Sequence, residues 1–254
     1  MSFCQIVDVG LIGYADALAL QKRLVAARKV LATKNNDIGD VLLLCEHPHV
    51  ITVGRNGKRE HLLVSEHVLR QKGVELHFID RGGDVTYHGP GQIVGYPILN
   101  LGAIRRDVGW YVRSLEEMMI RATADFGIIA RREAGKTGVW VEGHAPGGQA
   151  TKKLGAIGVH LSRWITSHGF AYNVSTDLRY FDLIIPCGIA GCQATSLEGL
   201  LAGPVDPREA ATKLSKRFGE VFSLEMQRAS PEEVLEKLSS CESPEFEFVP
   251  LENA

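Results

Sequence analysis

Arg81-Gly82-Gly83-Asp84-Val85-Thr86-Tyr87-His88-Gly89-Pro90-Gly91-Gln92 is the stretch on which the reading of this chain turns. Four glycines and a proline within these twelve residues exclude a helix interior, where each glycine costs about 1 kcal/mol relative to alanine and proline about 3. Glycine lets a backbone take positive φ or approach a ligand closely, and Arg81, Thr86, His88 and Gln92 add strong hydrogen-bonding groups. A shaped binding loop follows. On glycine content alone, a turn joining two strands reads as well. A second segment, Ile184-Ile185-Pro186-Cys187-Gly188-Ile189, favours the binding loop: a lone cysteine sits on a Pro/Gly-bounded turn after an apolar run.

Outward from these segments, secondary structure is legible. Residues 15–33 are rich in Ala, Leu, Lys and Arg and read as an amphipathic helix. Val41 to Cys45 is a short apolar run, as a buried strand would be, and Val50 to Val53 looks like its neighbour. Val74 to Asp80 alternates and feeds the Gly-rich stretch, which therefore sits at a strand end; Gln92 to Ile98 restarts an extended segment. Asp107 caps a helix with apolar positions Val112, Leu115, Met119, Ala122 and Phe126. Extended segments follow at Thr137 to Val141, Leu154 to Leu161 and Trp164 to Val174, with Glu142 to Lys152 expected as a hairpin loop. Asp206-Pro207 opens a helix to about Phe222, and Ser230-Pro231 opens a shorter one. Mixed strands with flanking helices give an α+β (mixed α/β) class. Residues 1–225 are expected as a single catalytic domain, and 226–254 as a short helix and an acidic, flexible tail.

The chain has 254 residues, a net charge of −2 and five cysteines. That length buries a substantial core. The charge makes no electrostatic case for nucleic acid or an anionic membrane. An odd, scattered set of cysteines does not make a disulfide framework and suits a reducing cytoplasm. No signal-peptide pattern and no run of roughly twenty apolar residues is present, so a soluble cytoplasmic protein is expected.

A free cysteine is most often a small buried hydrophobe, but Pro186 and Gly188 place Cys187 on a tight turn. A thiolate is the nucleophile, and a neighbouring cation that also takes its proton makes the thiol competent. A lysine partly desolvated in a pocket supplies both functions. A lysine is more often a solvated surface charge, and nothing in the spacing pairs one with Cys187; Lys152 and Lys153 are adjacent and face opposite sides of a strand, so only one of the two can do such a job. Cys192 reads as a core residue or a second redox thiol. His47, His49, His88 and the Cys187/Cys192 pair lack metal-site spacing, so no metal is expected.

The two opening segments together resemble the lipoyl(octanoyl) transferases. That signature runs Arg-Gly-Gly, two free positions, Thr-aromatic-His, two more free positions, Gly-Gln, and shortly Tyr-Pro; residues 81–97 meet every fixed position. The resemblance continues through Thr137-Gly138-Val139-Trp140-Val141, Lys153-Leu154-Gly155-Ala156-Ile157-Gly158, His168-Gly169-Phe170-Ala171-Tyr172-Asn173 and Pro186-Cys187-Gly188. It implies the biotin/lipoate protein ligase-like fold, a mixed sheet with packed helices. It implies Cys187 as nucleophile, with Lys153 lowering its pKa. It also implies an acyl and carrier site lined by residues 81–88 (Arg81, Gly82, Gly83, Asp84, Val85, Thr86, Tyr87, His88), with Ala156, Ile157, Gly158 and Gly169, Phe170, Ala171 as further walls. Backbone N–H groups near Gly82-Gly83 are candidate oxyanion donors, and His88 either orients substrate or stabilises the loop.

The implied reaction takes an octanoyl group from octanoyl-acyl carrier protein to lipoyl domains of 2-oxoacid dehydrogenase complexes and the glycine cleavage H protein, without ATP or any cofactor. Three other readings stand beside it. An adenylating lipoate or biotin ligase on the same fold needs no cysteine; a Cys/His hydrolase turns over octanoyl thioester with water; a non-catalytic domain only binds lipoyl carriers.

Overall fold

A computed structural model describes residues 3–31, 39–145, 148–188 and 192–241, with the side chain of Cys187 outside the described set. In chain order the elements are β1 (Phe3–Leu11), α1 (Tyr14–Leu31), β2 (Asp40–Glu46), β3 (Val50–Val53), α2 (Glu66–Gln71), β4 (Glu75–Phe78), β5 (Val85–His88) and β6 (Gln92–Ile98). Then come α3 (Leu101–Ile104), α4 (Val108–Ala124), β7 (Ala130–Glu133), β8 (Lys136–Ala145), β9 (Gly148–Ser162) and β10 (Ile165–Asn173). Short 3-10 turns at Leu178–Leu183 and Pro186–Gly188 lead to β11 (Gln193–Ala194), α5 (Leu197–Leu201), α6 (Pro207–Phe222), β12 (Glu225–Arg228) and α7 (Pro231–Cys241).

The large sheet runs β12-β1-β2-β6-β10-β9-β8-β7. Its β1 pairs are parallel and the rest of that path is antiparallel. Side-chain alternation divides its two faces. In β2, Leu42 and Leu44 pack with Leu115 and Met119 of α4 and Leu214 and Phe218 of α6. Val41, Leu43 and Cys45 pack on the other face with Ala17 and Leu24 of α1 and Val234 and Leu238 of α7. Burial on both faces explains why this strand is a continuous apolar run. The helix caps act as read: Asp107 accepts from Trp110 N at 2.8 Å, and Asp206 from Arg208 N at 2.9 Å. The result is the expected α+β class.

Four expectations change. First, β3 is not beside β2; it is the centre of a separate sheet, β4-β3-β5. The turn His47-Pro48-His49 separates them, since proline donates no ladder hydrogen bond. Second, residues 142–152 are mostly ladder: Glu142 pairs with Thr151 and Gly143 with Ala150. Backbone pairing in a long hairpin overrides a Gly-rich composition, and residues 146–147 lie outside the described set. Third, Val85 to His88 inside the Gly-rich stretch is strand β5, paired with β3. Fourth, the 225/226 boundary cuts β12, which pairs with β1, and α7 packs on α1. Residues 226–241 thus pack on the same body. The expected flexible tail, residues 242–254, lies outside the described residues.

Candidate active site

The two sheets meet where β4 hands the chain to the Gly-rich stretch. Their seam holds a cavity of about 420 Å³, within the ~300–1,000 Å³ typical of small-ligand sites. Arg81, Gly82, Gly83, Asp84, Val85, Thr86 and His88 line it from the Gly-rich side. Ala156, Ile157 and Gly158 of β9, and Gly169, Phe170 and Ala171 of β10, line it from the large sheet. Lys153, Ala156 and Ala171 also border a small void of about 20 Å³, whose other walls include Pro186 and Cys192.

Tyr87 is a correction. It does not line the cavity: its side chain turns into the core of the small sheet, where Val85 also packs while bordering the cavity. There its hydroxyl and His49 Nδ1 are 2.8 Å apart, and its ring stacks on Tyr180 at 5.1 Å. Tyr180 lies in the 3-10 turn that precedes Cys187, so Tyr87 braces that segment from behind.

Arg81 is a strut of the loop as well as a wall of the cavity. It donates from Nε and Nη2 to Thr52 Oγ1 (3.2 and 2.9 Å), from Nη2 to Thr52 O (2.7 Å) and from Nη1 to Gly82 O (3.1 Å). The loop is stapled to the large sheet by Gly82 N, which donates to Val159 O at 2.9 Å. That N–H is therefore engaged, and the expected oxyanion donor at Gly82 is not an open one. The loop lies so close that a Cβ at Gly158 would come within 2.9 Å of Gly82 O and of Arg81 Cδ. Only glycine permits this approach.

His88 begins a chain of polar contacts. Gln92 donates from Nε2 to Asn173 Oδ1 (2.8 Å) and Tyr87 O (3.3 Å), so its Oε1 accepts from His88 Nδ1 at 2.7 Å. Asn173 Nδ2 donates to Thr195 O and Thr195 N to Lys153 O, both at 2.9 Å. The chain ties the Gly-rich stretch to the backbone beside Lys153. Burial pushes the His88 imidazole down to about 3, helped by neighbouring His47. The ring is thus neutral, protonated on Nδ1 and an acceptor on Nε2. These contacts serve the loop-stabilising role.

His168 also lines the cavity, with φ +54, a left-handed conformation that strains a residue bearing Cβ. Its backbone N donates to Gln21 Oε1, and its Nε2 contacts Asp80 Oδ1, both at 2.9 Å. Burial lowers its pKa even though Asp80 pulls the other way.

Of the adjacent lysines, Lys153 is buried and borders both spaces, while Lys152 borders neither. β11 explains what comes near it. β10 leaves the edge of β9 after Tyr172 meets Gly155, and β11 takes that edge at Lys152 and Lys153. This delivers the segment after Cys187 to Lys153. Cys187 belongs by its backbone to the turn Pro186–Gly188, held by Gly188 N donating to Ile185 O at 3.1 Å. The upstream chain is pinned where Ile185 N donates to His61 O at 2.8 Å. Asp84 Oδ2, 2.7 Å from His61 Nδ1, lies 2.5 Å from where a Cβ on Gly188 would be. The Gly-rich stretch therefore abuts the cysteine's turn.

The other thiols separate clearly. Burial pushes Cys4 and Cys45 well above the usual thiol range, which makes both inert. Cys192, expected as a core residue, is half-buried and borders the void beside Lys153. Sequence reasoning did not name Tyr14, Val94, Tyr96, Val112 and Lys136 as cavity residues. Tyr96 is a fixed position of the quoted signature and was findable there; no local pattern marks the other four, which long-range packing brings together. His168 and Thr137 lay within quoted motifs and were findable.

The family model described as the lipoyl protein ligase A/B catalytic domain matches residues 13–219. An octanoyltransferase of Acidobacterium capsulatum is 48% identical over 246 residues, covering 92% of this chain and 97% of that protein. One of Solibacter usitatus is 48% identical over 227 residues, covering 89% and 96%. Among solved structures, a bi-partite lipoate protein ligase from Thermoplasma acidophilum superposes with a TM-score of 0.68 at 15% identity, covering 94% of this chain and 91% of its own. A lipoate-protein ligase A bound with ATP gives 0.66 at 14% identity, covering 94% and 92%. At such identity these two matches speak to fold alone.

Proposed function

Because the chain belongs to the lipoyl protein ligase A/B catalytic family and is an octanoyl-transferring acyltransferase of protein lipoylation, we propose that it works through a thioester on Cys187. The donor is octanoyl-acyl carrier protein. The acceptor is the lysine ε-amine of a lipoyl domain, as in 2-oxoacid dehydrogenase complexes or the glycine cleavage H protein. The observation that carries this reading is the position of Lys153, which borders both the 420 Å³ cavity and the void beside Pro186.

The Cys187 thiolate attacks the thioester carbonyl, the carrier's sulfur leaves, and the Lys153 ammonium supplies its proton. Exchange of one thioester for another is nearly neutral in energy, so no ATP is needed. The acceptor amine then attacks the acyl-enzyme; Cys187 leaves as thiolate and Lys153 takes the amine's proton. An amide replaces a thioester, which drives the second half. Ala156, Ile157, Phe170 and Ala171 offer the alkyl chain apolar surface, at about 0.8 kcal/mol per buried methylene. The cationic side chains of Arg81, Lys136 and Lys153 outnumber the one carboxylate, Asp84, in the lining. That balance favours a thiolate and a developing oxyanion.

The test is ATP-free transfer together with intact-mass analysis. One octanoyl group is expected on Cys187, with transfer abolished in Cys187→Ala and largely retained in Cys192→Ala. This pair of variants is demanding because Cys192 also borders the void beside Lys153. An ATP requirement, or acylation of Cys192 instead, overturns the assignment; the first outcome favours an adenylating ligase.

A further inference from the structure

Resting on that reading and going beyond it, we propose that Trp140 is a positioning residue for Lys153, its buried indole holding the ammonium beside the cysteine's turn by cation–π attraction. Thr137-Gly138-Val139-Trp140 is a motif the reaction itself does not use. The ladder between β8 and β9 explains its place. Val139 pairs with Gly155, yet Trp140 pairs with Lys153, because the register slips between them. In an unbroken antiparallel ladder Trp140 would oppose Leu154. The bulge re-aims the strand so that the lysine faces the indole.

Lys153 Nζ stands 5.1 Å from the indole centroid, within the ~6 Å range of cation–π attraction. Trp140 is 1% exposed and its Nε1 donates to Lys136 O at 3.1 Å, which fixes the ring plane. Gly138 clears the space: at φ +124, a Cβ there would lie 2.7 Å from Lys153 Cε and 3.4 Å from Nζ. Glu116 of α4 holds that turn by accepting from Gly138 N at 3.0 Å. A four-carbon stem that would otherwise sample many rotamers is thus confined between glycine and indole.

Other ionisable groups face the same space. Lys136 Nζ lies 5.4 Å from the same ring and opposes a second charge there. Arg81 and Asp84 face it from the Gly-rich loop, His88 from β5 and His168 from β10. Cys192 faces it across the small void, and Glu116 backs it from α4. Changing Trp140 also removes the ring contact of Lys136 and the hydrogen bond to its carbonyl, so the Lys153→Met background is what isolates the indole's effect on Lys153.

The experiment compares Trp140→Leu and Trp140→Phe, each alone and with Lys153→Met, in the full chain. Two pH profiles are read: iodoacetamide alkylation of Cys187, and octanoyl transfer. In Trp140→Leu the Cys187 titration is expected to move up and the basic limb of transfer to move down, each by about 0.5–1 pH unit. Trp140→Phe, which keeps the core filled, falls between. With Lys153→Met present, changing Trp140 should move the alkylation profile no further. A slower rate with unmoved profiles, or equal shifts with and without the lysine, makes the indole a packing residue and overturns the proposal. Should Lys153→Met alone leave the alkylation profile where it was, the cysteine–lysine reading fails and takes the indole's role with it.

Discussion

The small sheet and the large sheet share one cavity but build their walls by different means. On the small-sheet side the wall is polar and mutually bound: Arg81 to Thr52, and His88 through Gln92 to Asn173. No member can leave without stranding a buried polar partner, at about 1–3 kcal/mol each. On the large-sheet side the wall has a bare strip, Ala156, Gly158, Gly169 and Ala171, whose backbone is held in ladders, flanked by the apolar Ile157 and Phe170. The polar wall fixes charge and orientation, while the bare wall leaves room for an alkyl chain and for the loop to close over the sheet.

Filling the bare wall should break this contrast most severely. Gly158→Val sets side-chain atoms against Gly82 O and Arg81 Cδ, already within 2.9 Å of a bare Cβ. The loop must lift, and a displacement of about 1 Å at an active site costs on the order of a hundredfold in rate. Transfer kinetics should show that loss, and urea unfolding a destabilisation of about 1–3 kcal/mol that is the same at pH 8 and pH 5.

The polar wall should instead answer to pH. His88 is held neutral with its folded pKa near 3, below an unfolded value of about 6.5. Between those values the unfolded chain binds more protons, so this contribution is present above about pH 6.5 and is lost as pH falls toward 3. His88→Gln removes that titration. Its stability deficit at pH 8 should shrink at pH 5, with the slope of stability against pH reduced by up to about one proton in urea unfolding. A deficit independent of pH would mean that the ring is not held neutral.

The smallest effect is expected behind the polar wall. Tyr87→Phe removes the hydroxyl beside His49 and should cost about 1 kcal/mol in chemical unfolding. Transfer should stay within about twofold, because the ring faces away from the cavity. A large rise in KM for the donor would put Tyr87 back among the ligand contacts.

Much of the fold could be read locally. The Asp107 and Asp206-Pro207 starts carry their own capping chemistry, and the apolar run of β2 and the alternation feeding the Gly-rich stretch follow from burial. The same local rules misjudge residues 142–152, where glycine and polar residues look like a loop but pair as a hairpin. They also miss β5, whose four residues are masked by the glycines around them. For the site, the motifs located most of the cavity lining, though Tyr14 and Val94 reach it from α1 and β6 through packing that leaves no sequence signature.

By itself the sequence determined which chemical groups this protein has to work with: a cysteine on a proline-glycine turn, a pair of adjacent lysines, and a stretch able to approach a ligand through bare backbone. Only the tertiary structure decided which of those groups share a space. Tyr87 turned away because a strand sends neighbours to opposite faces, and Lys153 rather than Leu154 met Trp140 because the ladder slipped by one residue. Register depends on partners distant in the chain, and a shift of one position reverses every side chain, so no window of local sequence contains that information.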